Sequence, residues 1–217
     1  MIDHEAITYA RESGLTDPVF KTGRMSNGLV QKMNYMKSKH RSHLLLRKWS
    51  ADGYWCRQNE LLKVNDPANF RDTIERVNVN DITVEEFIER YERGSKPCII
   101  TGVTETWTGN QEWQLKRLFE RFGHSLFKVG ESDSGRKLKV TLKEYIEYAL
   151  FNRDDSPLYL FESNIEEHET MKEIINEYEI PRYLRKDFFV ELMGEKKAPP
   201  HRWFLIGPRR SGSEVHQ

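Results

Sequence analysis

Cysteine is scarce in this chain: Cys56 and Cys98 are the two in 217 residues. Two cysteines make no disulfide framework, and their spacing fits no zinc motif. A reducing compartment is the expectation. Long apolar runs are missing too. No stretch approaches the ~20 residues that a membrane-spanning helix needs. The opening MIDHEAITYARESG lacks the apolar centre of a signal peptide. A soluble, intracellular protein with no membrane partner is therefore expected. Net charge is absent as well, with 34 Lys and Arg against 34 Asp and Glu. No global field draws nucleic acid or acidic lipid to it. Mean hydropathy is low, at −0.75, yet aromatic residues reach 12% and can build a core.

One absence is local. Between Pro18 and Ala51 there is no Asp or Glu, while Lys21, Arg24, Lys32, Lys37, Lys39, Arg41, Arg47 and Lys48 are all basic. Such asymmetry marks an arm that meets nucleic acid or carries a nuclear-import signal. Residues 21–48 would suit RNA phosphates, with Tyr35 and Trp49 near for stacking. A solvated basic tail fits the same residues equally well.

What is present divides the chain into three. Residues 1–43 show no sustained periodicity and read as a basic, mostly disordered arm. Residues 44–82 hold WSADGYWCRQNELL, too aromatic for a linker, and read as a helical or loop extension packed on the domain C-terminal to it. From residue 83 to 217 the signals sharpen into one domain. Thr83 and Glu86 stand in capping-box spacing, with Val84, Phe87, Ile88 and Tyr91 on one helical face. PCIITG reads as a buried strand and QEWQLKRLFERFG as one amphipathic helix. LFKVG and KLKV flank ESDSGR as a hairpin. Thr141 and Glu144 open a further helix, SPLYLFES is a strand, and EEHETMKEIINEY and RKDFFVELMG are helices. RWFLIG is a last strand, apolar on both faces and in need of partners. Strands and helices mix without regular alternation, so the fold class is α+β.

The candidate chemistry is thin by spacing alone. His216 follows a glycine turn after a strand, which suits the first ligand of a two-histidine, one-carboxylate iron site. An exposed side chain is the commoner fate of a lone histidine. His4, His40, His43, His124, His168 and His201 offer no second ligand at metal spacing, and Glu167–His168 lacks a histidine at i+4. GPRRSGS could cradle an anion, but it lacks the GK[ST] of a phosphate loop, and a tight strand connection is the plainer reading. Asp154 and Asp155 read as capping or solvated carboxylates. Tyr159 reads as a core tyrosine or a pocket hydroxyl.

Three segments carry a resemblance: ITVEEFIERYERGSKPCIITG, RDDSPLYLFES and MGEKKAPPHRWFLIGPRRSGSEVH. Together they resemble the jumonji-C arginine demethylase and lysyl-hydroxylase family, over about Asn65 to Gln217. The resemblance implies a helical N-terminal region leading into a cupin-like double-stranded β-helix, or jelly roll, here truncated. It implies Fe(II) and 2-oxoglutarate as cofactors. It implies hydroxylation of protein lysines or demethylation of histone arginines, with histones or RNA-processing factors as partners and the nucleus as location. It carries the first iron ligand onto His216, and 2-oxoglutarate contacts onto Ser213 and Tyr159. The family continues with Asp, a proline, a TSAWN strand, a lysine for 2-oxoglutarate and a distal histidine. None of these comes after Gln217. The chain alone is therefore expected to bind no iron and to be inactive. The alternative is a truncated, non-catalytic binding module or adaptor.

Overall fold

A computed structural model describes residues 2–40 (36–40 as backbone alone), 71–129, 138–154, 157–195, 202–208 and 211. The first helix, α1 (His4–Glu12), starts where the Asp3 carboxylate accepts the Ala6 amide at 2.9 Å. This satisfies one of the donors that a helix start leaves open. It ends at Gly14, whose φ of 72° only glycine adopts freely. A 3-10 turn over Pro18–Lys21 is capped by Asp17, and α2 spans Asn27–His40.

These N-terminal elements are not the disordered arm that the sequence suggested. Ala10, Leu15, Phe20, Leu29 and Met33 are buried in the main core. The apolar residues are few and separated by charge, so no local period announces them. What orders them is distant. In helix α6 (Leu142–Phe151), the Lys143 ammonium lies 2.5 Å from Asp17 and Glu144 lies 2.9 Å from Lys32. The buried Glu147 accepts the Ser26 amide. Three residues on one helix thus hold the first thirty-odd residues in place.

Strand β1 (Glu75–Asn78) precedes the boundary expected at residue 83 and pairs in parallel with β2 (Cys98–Thr101). Between them, Thr83 and Glu86 close a complete capping box at the start of α3 (Val84–Phe87), which runs on as a wider turn to Glu92. The helix expected over QEWQLKRLFERFG is two: α4 (Gly109–Glu112) and α5 (Leu115–Phe122), broken at Gln114, whose backbone is extended.

Strands β3 (Leu126–Val129) and β4 (Leu138–Thr141) are the expected hairpin arms. Thr141 and Glu144 form the second complete capping box, at α6. Strand β5 (Leu160–Glu162) comes next. The helix expected over EEHETMKEIINEY is instead two 3-10 segments, Ile165–Glu167 and Lys172–Glu177. The cause is His168. Its Nδ1 accepts the amides of Thr170 and Met171, at 3.3 and 3.2 Å, and a side chain that takes these donors interrupts the helical ladder. Helix α7 (Phe188–Met193) is capped by Asp187, and β6 (Phe204–Ile206) is the last strand.

Among the described residues the larger sheet has the order β4-β3-β5-β6, antiparallel throughout. Phe127, Val129, Val140 and Leu160 are buried in one cluster with Leu142, Tyr145, Ile146 and Tyr148 of α6. The mixed helix-and-sheet class is as expected. The sheet is open, and no closed jelly roll forms among the described residues.

Candidate functional site

Tyr159 stands between Leu158 and Leu160, both buried. Strand alternation therefore turns the tyrosine to the opposite face of the sheet. There its ring meets Phe161 edge-on at 6.2 Å, and Phe161 meets Trp203 at 5.4 Å. Leu205 lies directly across from Phe161. Trp203 and Leu205 are 59% and 51% exposed. Tyr159 thus belongs to an aromatic, open sheet face, rather than to the core. A separate groove of about 1570 Å³ lies where α1 and α6 meet β6, with Tyr9, Tyr145, Trp203, Leu205 and Gly207 in its wall and neither Tyr159 nor Phe161 among its lining residues.

Two tyrosines that sequence reasoning passed over anchor this face from behind. The Tyr148 hydroxyl donates to Asp154 Oδ2 at 2.6 Å and accepts the Leu158 amide at 2.9 Å. Asp154 is 3% exposed, so it is a locked structural carboxylate. Tyr145 donates to the Ile206 carbonyl, with the Leu158 carbonyl 3.4 Å away. Burial pushes both phenols far above the usual tyrosine range, and for Tyr148 the charge on Asp154 adds to this. Both phenols therefore stay protonated at neutral pH. The signal was present as EYIEY, two tyrosines on one side of a helix, but their partners lie on strands remote in sequence.

After β6 the chain turns sharply. Both the amide and the hydroxyl of Ser211 donate to the Pro208 carbonyl, at 3.0 and 2.7 Å. A side chain at Gly207 would collide with Ser211 Oγ. The described part of GPRRSGS is therefore a tight connection. Ser213 and His216 lie outside the described residues, as do Asp155, His43 and His201.

His168 is a satisfied structural histidine. Its Nε2–H donates to the Leu126 carbonyl at 3.0 Å, and its ring stacks on Phe127 at 4.7 Å. Among the described residues no group of three or more His, Cys, Asp or Glu could hold a metal ion. The described donor set therefore does not fit an iron centre.

The proteins most informative about this chain are animal and plant enzymes. The bifunctional arginine demethylase and lysyl-hydroxylase psr-1 of Caenorhabditis elegans is 39% identical over 186 residues. The match covers 86% of this chain and 44% of the relative. Its Caenorhabditis briggsae counterpart is 37% identical over the same share of this chain and 45% of its own length. Over most of its own length the chain is similar to these jumonji-C enzymes. The arginine-specific demethylase JMJ22 of Arabidopsis thaliana is 34% identical over 67% of this chain and 27% of its own length. The chain thus spans less than half the length of the curated relatives it matches. No family model matches it. Among the described residues no helix is long and apolar enough to cross a membrane.

Proposed function

We propose that this chain is the N-terminal part of an Fe(II)/2-oxoglutarate-dependent dioxygenase that hydroxylates protein lysines or demethylates histone arginines. The observation that supports it is Tyr159. It is one of the residues that the jumonji-C resemblance nominates for 2-oxoglutarate, and it stands on the open aromatic face beside β6. In sequence, that strand is followed by the other nominated residues, Ser213 and His216. In this reading Tyr159 and Ser213 line the cosubstrate position and His216 is the first iron ligand. Iron and 2-oxoglutarate, if held there, would supply the oxidising chemistry. The aromatic side chains of this chain around Tyr159 would form one wall of the cosubstrate position.

A single imidazole does not hold Fe(II) in a defined geometry, so the 217-residue chain alone is inactive in this reading. Its partners are protein substrates, histones or RNA-processing factors, met in the nucleus. RNA contact through residues 21–48 would leave out Lys32, which pairs with Glu144.

The test joins residues 1–217 to the part of the C. elegans relative that lies beyond the matched segment. Succinate release from 2-oxoglutarate is then measured for the chain, the chimera and its His216→Ala variant. Activity in the chimera alone is expected. A folded chimera whose His216→Ala variant keeps full activity would remove His216 from the site.

A further inference from the structure

We propose that Tyr148, with Tyr145 beside it, is a positioning residue that sets where the Tyr159 hydroxyl stands. The proposal rests on the reading of Tyr159 as part of the cosubstrate wall, and deepens it. It starts from Leu158, the residue before Tyr159. Leu158 lies ahead of β5 and outside its ladder. Side chains of α6 meet its backbone groups instead. The Leu158 amide donates to the Tyr148 hydroxyl at 2.9 Å, and the Leu158 carbonyl lies 3.4 Å from the Tyr145 hydroxyl. Tyr145 and Tyr148 stand at i, i+3 spacing on α6, so both hydroxyls leave the same side of the helix. Leu158 is thus held at its N–H and at its C=O.

Asp154 fixes the Tyr148 hydroxyl. A phenol has one proton to give. Here it goes to Asp154 Oδ2 at 2.6 Å, which leaves the oxygen lone pairs to accept the Leu158 amide. Asp154 is itself tied back to the helix end. Its amide donates to Asn152 Oδ1 at 3.2 Å, and the Asn152 side chain donates to the Tyr148 carbonyl at 3.0 Å. The orientation of this one hydroxyl is therefore set by a closed ring of contacts between a helix and the segment that follows it.

On the other side of Tyr159, Leu160 is fully buried and paired in register with Val129 and Ile206. Tyr159 sits between two anchored neighbours, and its backbone has little room to shift. The hydroxyl at the end of its stiff side chain is placed by that backbone, and small displacements of a binding group are costly. Tyr148 is fully buried behind the sheet. Any effect it has on the open face passes through Leu158 to Tyr159.

The experiment is a double-variant cycle in the chimera described above. Affinity for 2-oxoglutarate is measured by calorimetry, and KM and kcat by succinate release. Wild type, Tyr148→Phe, Tyr159→Phe and the double variant are compared at a temperature where circular dichroism shows each to be folded. Tyr159→Phe is expected to weaken 2-oxoglutarate binding about tenfold. Tyr148→Phe is expected to weaken it about three- to tenfold with kcat nearly unchanged, since its effect is bounded by the bond it positions. In the Tyr159→Phe background it should add less than about twofold. A merely structural role predicts unchanged affinity in the folded Tyr148→Phe variant, or the same loss with and without the Tyr159 hydroxyl, and either result overturns the proposal. Should Tyr148→Phe not fold, Tyr145→Phe, which keeps the Leu158 amide bond, takes its place in the cycle under the same criteria. A folded chimera that binds no 2-oxoglutarate, or a Tyr159→Phe variant of unchanged affinity, overturns the cosubstrate reading itself, and the proposal with it.

Discussion

The hydroxyl of Tyr145 donates to the carbonyl of Ile206, and so ties the centre of α6 to the final strand of the sheet. One helical turn on, Tyr148 ties the same helix to Asp154 and Leu158. The two tyrosines are the struts on which the open face rests.

Removing either hydroxyl is expected to destabilise the fold unequally. Tyr145→Phe gives up one bond to a neutral carbonyl, a loss of about 1 kcal/mol. Tyr148→Phe removes a buried hydrogen bond to the Asp154 carboxylate and the acceptor of the Leu158 amide, a loss of about 2–3 kcal/mol. Urea unfolding of both variants against wild type checks the order. Equal losses would show that the two bonds of the Tyr148 hydroxyl are together worth no more than the single bond of Tyr145.

Acid should weaken the attachment of the N-terminal helices. The hydrogen bond from Lys143 holds the Asp17 carboxyl below its ordinary range. For Glu144, burial pulls upward, but Lys32 and the Thr141 backbone outweigh it and the net direction is down. A carboxylate depressed in the folded state adds stability above its unfolded pKa and loses it as pH falls through the folded value. Stability from these pairs should be full above about pH 5 and decline below about pH 4. Both pairs are partly exposed, so solvent screening limits each to under about 1 kcal/mol. Urea midpoints between acid and neutral pH should show a shallower acid limb in Asp17→Asn than in wild type. An unchanged limb would show that the pair is energetically silent.

The turn after β6 should show strong coupling between two small residues. Gly207→Ala brings a methyl group against Ser211 Oγ and should cost about 1–3 kcal/mol. Ser211→Ala gives up the hydroxyl bond to Pro208 and should cost about 1 kcal/mol. The double variant should be more stable than the sum of the two predicts, since the collision is gone. Additive losses would mean that the turn relaxes around the new methyl group.

On the proposed function, Tyr159→Phe in the active chimera should raise the KM for 2-oxoglutarate about tenfold, as loss of one hydrogen bond to a charged group implies. The thermal midpoint should hold, because the hydroxyl does not belong to the buried cluster. An unchanged KM would take Tyr159 out of the cosubstrate wall.

What was legible in the sequence was local. The two capping boxes, at Thr83–Glu86 and Thr141–Glu144, both form, since each is settled by side chains and amides three residues apart. The hairpin arms and the strand at Leu160–Glu162 arise from short apolar runs. What was not legible was set at a distance. Phe20 and Met33 are buried because α6 offers them a surface more than a hundred residues later. The expected helix around His168 fails because its ring, stacked on Phe127, takes amides that a helix needs. For the site, sequence pattern left Tyr159 between core and pocket, and only the burial of its two neighbours places it on the outer face.

The position of Trp203 makes the protein its own optical gauge. Its indole lies beside Phe161 on the open face, more than half in water, whereas Trp107 and Trp113 are half-buried among their own aromatic neighbours. Whatever comes to lie on that face, be it a further strand, a second molecule or a bound acid, must change the polarity around this one ring. With the other four tryptophans, Trp49, Trp55, Trp107 and Trp113, replaced by phenylalanine, its emission colour would report coverage of the sheet without any label.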